Sequence, residues 1–308
     1  MNDHSGRGRP RLLIVGCGDI GLRVAALARG RYRLLALTSS PQRLESLRAA
    51  GIVPIVGHLD QPETLWRLAQ LAPQRVLMLA PPGDTFGARD LRSRHLISRL
   101  KQSGILSGSG KKTLRVVYAS TTGVYGDCQG EQAPETRPCQ PETERAQRRC
   151  DAERQWRRAG VQHRWRVGVL RIPGIYDGGA RSPRARLECG LPVLTPAEDV
   201  YTNHIHADDL ARLCLLALER ALPGRVYNVC DDSTLRMGDY FDLAADLYGL
   251  PRPPRVPRAE AQAAGLSPMM LSFMRESRRL DNTRMKAELG ARLRYPDVAL
   301  GLRAGQAR

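Results

Sequence analysis

The sequence predicts an α/β fold in which helices cover both faces of a parallel sheet, completed by a small discontinuous C-terminal cap. Two observations predict it. Apolar runs of strand length alternate with helical patterns at intervals of about 20–25 residues through the first half of the chain, the signature of successive βαβ units. After Ser120 the texture changes to loops rich in Pro and Gly, too irregular for a second complete unit of the same kind. With 308 residues and 42% hydrophobic content, the chain can bury one large core or two unequal ones.

The elements follow in order. Residues 11–16 form the first strand and end in glycines, and 20–30 have helical spacing with a closing Gly30. Residues 32–38 are the second strand. Ser40-Pro41 then opens a helix that stops at Gly51, with Pro early and Gly late in the usual asymmetry. Residues 52–56 are the third strand, followed by Asp60 and a helix near 62–72. The fourth strand, 75–80, ends in Pro81-Pro82-Gly83, and a helix spans 89–102. A Gly/Ser/Lys loop at 103–112 leads to the fifth strand at 114–119. A charged helix at 142–159, a sixth strand at 165–170, an apolar helix at 207–222 and a short strand at 225–229 complete the sheet region. Residues 173–203 are irregular. Residues 236–249, 257–265 and 281–289 read as helical, and the tail as short strands or coil. The expected division is 1–170 plus 205–230 for the sheet domain and 171–204 plus 231–308 for the cap. Crossovers between parallel strands are expected to be right-handed.

The first turn carries chemistry. Gly16-x-Gly18-x-x-Gly21 follows a strand and opens a helix. The first glycine permits the tight turn, the second lets backbone approach a pyrophosphate, and the third allows close helix–sheet contact. The helix N-terminus adds amide donors and a positive dipole end. Gly16, Cys17, Gly18, Asp19, Ile20 and Gly21 are therefore expected at a dinucleotide, in a Rossmann-like domain. A site selective for NAD carries Asp or Glu at the end of the second strand. This chain has Thr38, Ser39 and Ser40 there, with Arg43 one turn on. Hydroxyls and an arginine suit a 2′-phosphate, so NADP is expected over NAD. Asp60 is a candidate on the adenine side, and Ala80, Pro81 and Pro82 are expected to line the crevice.

Composition narrows the partners. The net charge is +17, almost all from arginine, with lysine only at positions 101, 111, 112 and 286. The arginines are spread along the chain without a dense stripe, aromatic interleaving or a helix-turn-helix pattern. A small-molecule partner is expected and a nucleic acid is not, although the charge keeps that alternative open. Seven cysteines without a CxxC pair read as reduced thiols. His204 and His206 precede two aspartates but lack a third ligand at convincing spacing, so no metal is expected. No apolar run of 18 residues and no signal-peptide core are present, which leaves a cytoplasmic protein without a membrane span as the expectation.

Further segments carry a resemblance. VVYASTTGVYGDCQGE after the fifth strand, RVGVLRIPGIYDGG at 166–179, YTNHIHADDLARLCLLAL at 201–218 and GRVYNVCDDSTLRMGDYFDLAADLYGLP at 224–251 occur in order. Together with the glycine turn they resemble the extended short-chain dehydrogenase/reductase family, the epimerase/dehydratase-like proteins, over nearly the whole chain. The resemblance implies a catalytic Ser or Thr after the fifth strand, matched by Ser120, Thr121 and Thr122, with Thr121 or Thr122 closest to the role. It also implies a Tyr acid/base and a Lys four residues later that lowers its pKa and holds the nicotinamide ribose. Counting back from Ala152-Glu153, those positions hold Arg145 and Arg149. An arginine stays protonated and offers no acceptor. Arg149 is therefore expected to hold the ribose, and Arg145 to bind an anion or stabilise an oxyanion. Both also fit a salt-bridged helix, with Glu144–Arg148 and Glu153–Arg157 at i,i+4 spacing. Tyr125 is the leading candidate for a relocated acid/base, and Tyr176 the second. Three functions follow: an atypical NAD(P)-dependent oxidoreductase or epimerase acting on a small metabolite, a non-catalytic NADP-binding sensor, or a basic nucleic-acid-associated protein. The resemblance leans to the first and allows a homodimer.

Overall fold

The computed structural model describes residues 8–83, 87–103 and 113–306; the expected Gly/Ser/Lys loop lies almost wholly outside them. Seven strands form one parallel sheet: β1 (Arg11–Val15), β2 (Arg33–Thr38), β3 (Val53–Val56), β4 (Arg75–Met78), β5 (Arg115–Thr121), β6 (Arg166–Ile172) and β7 (Arg225–Asn228). Their spatial order is β3-β2-β1-β4-β5-β6-β7, so the direction of winding reverses between β1 and β4.

Strict alternation along the strands divides the core in two. Leu12, Ile14, Leu34, Ala36, Val117 and Leu170 face one way. They bury against α1 (Asp19–Ala28), the apolar helix Ala207–Arg220 and the helix Thr283–Leu289. Leu13, Val15, Leu35, Met78, Val116 and Val169 face the other way, against helices Leu91–Lys101 and Glu144–His163. Period-2 side chains with both faces covered are what a buried parallel sheet requires. We call the helices Leu44–Ala49, Leu91–Lys101, Glu144–His163, Ala207–Arg220 and Met237–Tyr248 α2 to α6. Thr143 caps α4, its hydroxyl accepting from the Ala146 amide.

The expected helix near 62–72 is instead a 3₁₀ turn, Pro62–Leu65, and one helical turn, Leu68–Leu71, ended by left-handed Ala72. Residues 257–265 form turns rather than a helix. The next helix starts at Pro268, where the Ser267 hydroxyl accepts from the Met270 amide. The tail, expected as strands or coil, is a helix, Val298–Gln306. Gly301 and Gly305 weaken its helical signature, yet both serve packing. A Cβ on Gly301 would stand 2.3 Å from the Tyr176 hydroxyl, and one on Gly305 would stand 2.1 Å from the Gly178 Cα. Val298 and Leu302 of this helix join Tyr176, Leu187, Val193, Tyr240 and Phe241 in a separate core beside α6. Within the irregular stretch, two-stranded pairs stitch distant segments together. Gly174–Tyr176 pairs with His204–His206, Tyr201–Thr202 with Leu235–Arg236, and Gln132–Ala133 with Arg279–Leu280. Among the described residues no helix is long and apolar enough to cross a membrane.

Candidate functional site: a nucleotide crevice and an arginine-lined cavity

The first opening, of about 380 Å³, lies where the sheet order reverses. The glycine turn forms its floor, and each glycine has its own reason. Gly16 has φ +88°, and a Cβ there would stand 2.5 Å from the Ala80 amide nitrogen. Nothing lies within 4 Å of where a Cβ on Gly18 would stand, which leaves that backbone open to an approaching ligand. A Cβ on Gly21 would meet Ile14, Gly16 and Cys17 at 3.3 Å, the close contact of α1 with β1. This cradle fits a dinucleotide: a backbone turn, a glycine with open space over its Cα and a helix N-terminus in succession.

Gly16, Cys17, Gly18, Thr38, Ser39, Ser40, Arg43, Ala80 and Pro81 line the crevice. Asp19, Ile20, Gly21, Asp60 and Pro82 do not. The Asp19 carboxylate is taken by Arg23 and by Arg181, each at 2.9 Å. Ile20 turns into the core. Asp60, expected on the adenine side, is clamped by Arg92 through bonds of 2.8 and 2.6 Å. Arg92, His58 and Leu59 reach the crevice instead.

At the carboxyl end of β5, Thr121 caps the turn Thr122–Tyr125, and its hydroxyl oxygen faces the Gly123 amide. Arg149 on α4 donates to the Ala119 carbonyl and, at 3.2 Å, to the Tyr118 hydroxyl, so it is fastened to the strand end. The preceding residue, Ser120, donates to Glu153 at 2.5 Å. Glu153 does not pair with Arg157 as its spacing predicts. It is buried, and accepts from Arg171 at 3.1 and 2.9 Å, tying α4 to β5 and β6. Burial opposes the Arg171 charge, but the bonds to Glu153 carry its pKa upward. The i,i+4 pair Glu144–Arg148 does form, at 3.3 Å.

Tyr125 is not placed to act on a ligand. Its ring lies under the Arg171 guanidinium at 4.6 Å, its hydroxyl donates to Asn228 at 2.7 Å, and it is fully buried. Burial pushes its phenol up to about 12. Tyr176 is equally enclosed, edge-on to His204 and His206. Neither tyrosine lines the second opening.

That opening, a cavity of about 430 Å³, includes Thr121, Thr122 and Gly123 at the end of β5 and is closed by segments that follow β6 in the chain. Its walls are Tyr201, Tyr240, Phe241, Phe273 and three methionines, interrupted by Arg145, Arg186, Arg278, Glu276 and His204. Arg145 lies 5.1 Å over the Phe273 ring. Arg186 lies 4.2 Å over Phe241 and gives one bond to the Pro192 carbonyl, while its Nε is buried without a partner. Burial lowers the Arg186 pKa. Neither arginine has a carboxylate partner among the described residues. His204 stacks on Tyr240 at 4.1 Å, its Nδ1 is unpartnered, and burial lowers its pKa to about 4. It is a neutral wall residue at physiological pH. Sequence reading missed Arg186, Glu276 and Arg278; each sits in a charged run that reads as a solvated surface.

The family model described as the NAD dependent epimerase/dehydratase family matches residues 13–230. Protein YeeZ of Escherichia coli K12 is 25% identical over 293 residues, covering 93% of this chain and 97% of that protein. A functionally unknown conserved protein from Silicibacter pomeroyi DSS is 32% identical, with a TM-score of 0.77 over 97% of this chain and 98% of its own. MoeE5, solved in complex with UDP-glucose and NAD, is 21% identical with a TM-score of 0.69 over 95% and 96% of the two chains.

The expected preference for NADP is corrected by that complex, whose dinucleotide is NAD. The groups assigned to a 2′-phosphate are in fact turned on the protein itself. Arg43 donates to the Cys17 carbonyl at 2.7 Å, Ser40 donates to Gln42 at 2.7 Å, and the Thr38 hydroxyl accepts from the Ser40 amide. A winding reversal, a glycine cradle at it, and a match spanning residues 13–230 lead to one conclusion: the chain belongs to the NAD-dependent epimerase/dehydratase family.

Proposed function

We propose that this protein is an NAD-dependent oxidoreductase or epimerase whose substrate is a small anionic metabolite. The observation that carries the reading is the pair Arg145 and Arg186, two cations without carboxylate partners among the described residues, in a cavity walled by aromatic and methionine side chains. Charge-assisted bonds from guanidinium to carboxylate or phosphate are strong in such a setting. NAD belongs in the glycine crevice, in line with the complex of the similar MoeE5. When bound, it supplies the hydride donor or acceptor. Arg149 is fastened to the end of β5 and lines neither opening. Thr121 and Thr122 border the cavity at the same strand end and offer hydroxyls to the reacting oxygen. Residues 171–204 and 231–308 act as the substrate-shaping part, a reading supported by the cavity walls they provide.

The test is a calorimetric titration with NAD and NADP, followed by turnover of secondary alcohols bearing a carboxylate or a phosphate. NAD is expected to bind. Arg186→Ala is expected to raise KM for anionic substrates about tenfold or more, the worth of one charge-assisted bond, and to leave neutral alcohols unaffected. No NAD binding, or a preference for neutral over anionic substrates, defeats the reading.

A further inference from the structure

With arginine at positions 145 and 149 and Tyr125 locked in the core, the site needs a proton carrier from elsewhere. Among the described residues lining the cavity, Glu276 has the required chemistry and support. It sits beside the carboxyl end of β5: a Cβ on Gly123 would stand 3.9 Å from its Oε2. Its side chain is 12% exposed, open enough to the cavity for ligand contact and dry enough for its charge state to matter.

Its partner Arg278 pairs with the carboxylate and donates to the Thr122 carbonyl at 3.1 Å, so the dyad is pinned to the same turn that carries Thr121. The following backbone is held on two sides. The Ser277 amide donates to Asp127 at 2.8 Å, and the Ser277 carbonyl accepts from the Cys128 and Gly130 amides. The Arg278 carbonyl accepts from Asn203 at 2.9 Å. A reactive group on such a support is pre-organised. Arg278, Glu142 and Asp127 are the charged groups that act on it, and burial outweighs the Arg278 guanidinium in raising its pKa. Of the other titratable groups of this wall, His204 and Tyr240 stack on one another, burial holding the imidazole neutral and raising the phenol, and the Tyr201 ring lies against the Arg236 and Arg279 guanidinium groups.

We propose that Glu276 is the acid/base of this site, its carboxylate taking the hydroxyl proton of an anionic secondary alcohol. The inference rests on the function proposed above. The O–H bond breaks and its proton passes to Glu276. The carbinol C–H leaves as hydride with its electron pair, accepted by the oxidised nicotinamide that the family binds, and a carbonyl forms. In the reverse direction the protonated Glu276 returns the proton to the carbonyl oxygen.

The experiment has one arm that needs no cofactor and one that does. Glycidol phosphate, an anionic epoxide, is incubated with the full-length protein and the adduct is located by peptide mass mapping. Attack of the carboxylate on the epoxide carbon opens the C–O bond, water protonates the alkoxide, and an ester remains. The ester is expected on Glu276, absent in Glu276→Gln and formed about tenfold more slowly in Arg186→Ala. In the second arm, NAD turnover of hydroxy acids and sugar phosphates by Glu276→Gln is expected to fall at least about 100-fold. NAD affinity is expected to stay at the wild-type value, while the melting temperature falls as the buried Arg278 charge loses its carboxylate. The wild-type kcat/KM for oxidation rises with pH as the carboxyl ionises; Glu276→Gln loses that limb and Glu276→Asp keeps it. An ester elsewhere, no ester, Glu276→Gln turnover within about threefold of wild type, or a labelled wild type that binds NAD and oxidises nothing overturns the assignment. Absence of NAD binding by the wild type defeats the proposed function instead, with the labelling arm still deciding where the carboxylate lies.

Discussion

The nucleotide crevice and the cap cavity open on the same edge of the sheet but are built from different material. The crevice is built largely on backbone: a left-handed glycine, a second glycine with open space over its Cα, a helix end and the ends of β1, β2 and β4. The cavity is made of side chains: stacked aromatics, methionines and arginines hung from segments far apart in sequence. Backbone sites tolerate almost no change of shape. Side-chain sites can be emptied one group at a time and lose function before they lose stability.

Three substitutions can break or sharpen that contrast. The largest stability loss is expected between the two regions, at the buried pair Glu153–Arg171. Glu153→Ala leaves the Arg171 charge buried without its partner, and urea denaturation is expected to show a loss of about 3–5 kcal/mol. A loss under about 1 kcal/mol would mean that the strand end is held without the pair. Next comes Gly16→Val. Its positive φ and the Ala80 backbone 2.5 Å from a Cβ add strain to overlap, for about 2–5 kcal/mol together with loss of NAD binding. If the variant is as stable as wild type, the crevice is not the rigid half. The smallest is Tyr125→Phe, which strands the Asn228 acceptor for about 1–2 kcal/mol by thermal melting. Turnover is expected to stay near wild type, and a collapse of kcat with intact NAD binding would return Tyr125 to the chemistry.

The same contrast explains what could be read from the chain. Alternation such as Leu12-Leu13-Ile14-Val15 buries on both faces, so strands and layers follow from local pattern. The three glycines of the first turn announce a backbone need that few other sequences meet. Glu276 announces nothing. In RESRR it looks like part of a solvated run, and only pairing of 279–280 with 132–133 swings it over the sheet. The 2′-phosphate expectation failed for a related reason. Thr38, Ser40 and Arg43 have the right chemistry, but Thr38 accepts from the Ser40 amide, Ser40 donates to Gln42, and Arg43 donates to the Cys17 carbonyl 26 residues away. The motif makes Tyr125 a candidate acid/base, yet the Arg171–Glu153 pair, which no local spacing reveals, closes its pocket. The terminal helix was hidden because Gly301 and Gly305 trade helix propensity for contact with Tyr176 and Gly178.

The pairing of Arg279–Leu280 with Gln132–Ala133 also sets an order of events. A chain emerging from the ribosome completes every strand of the main sheet by Asn228, glycine cradle included. The cavity lacks its Glu276–Arg278 wall until some fifty residues later, when these two reach the turn after β5. Loop closure over that distance comes late in folding. The protein is therefore built to be a nucleotide holder first and to acquire its reaction chamber last.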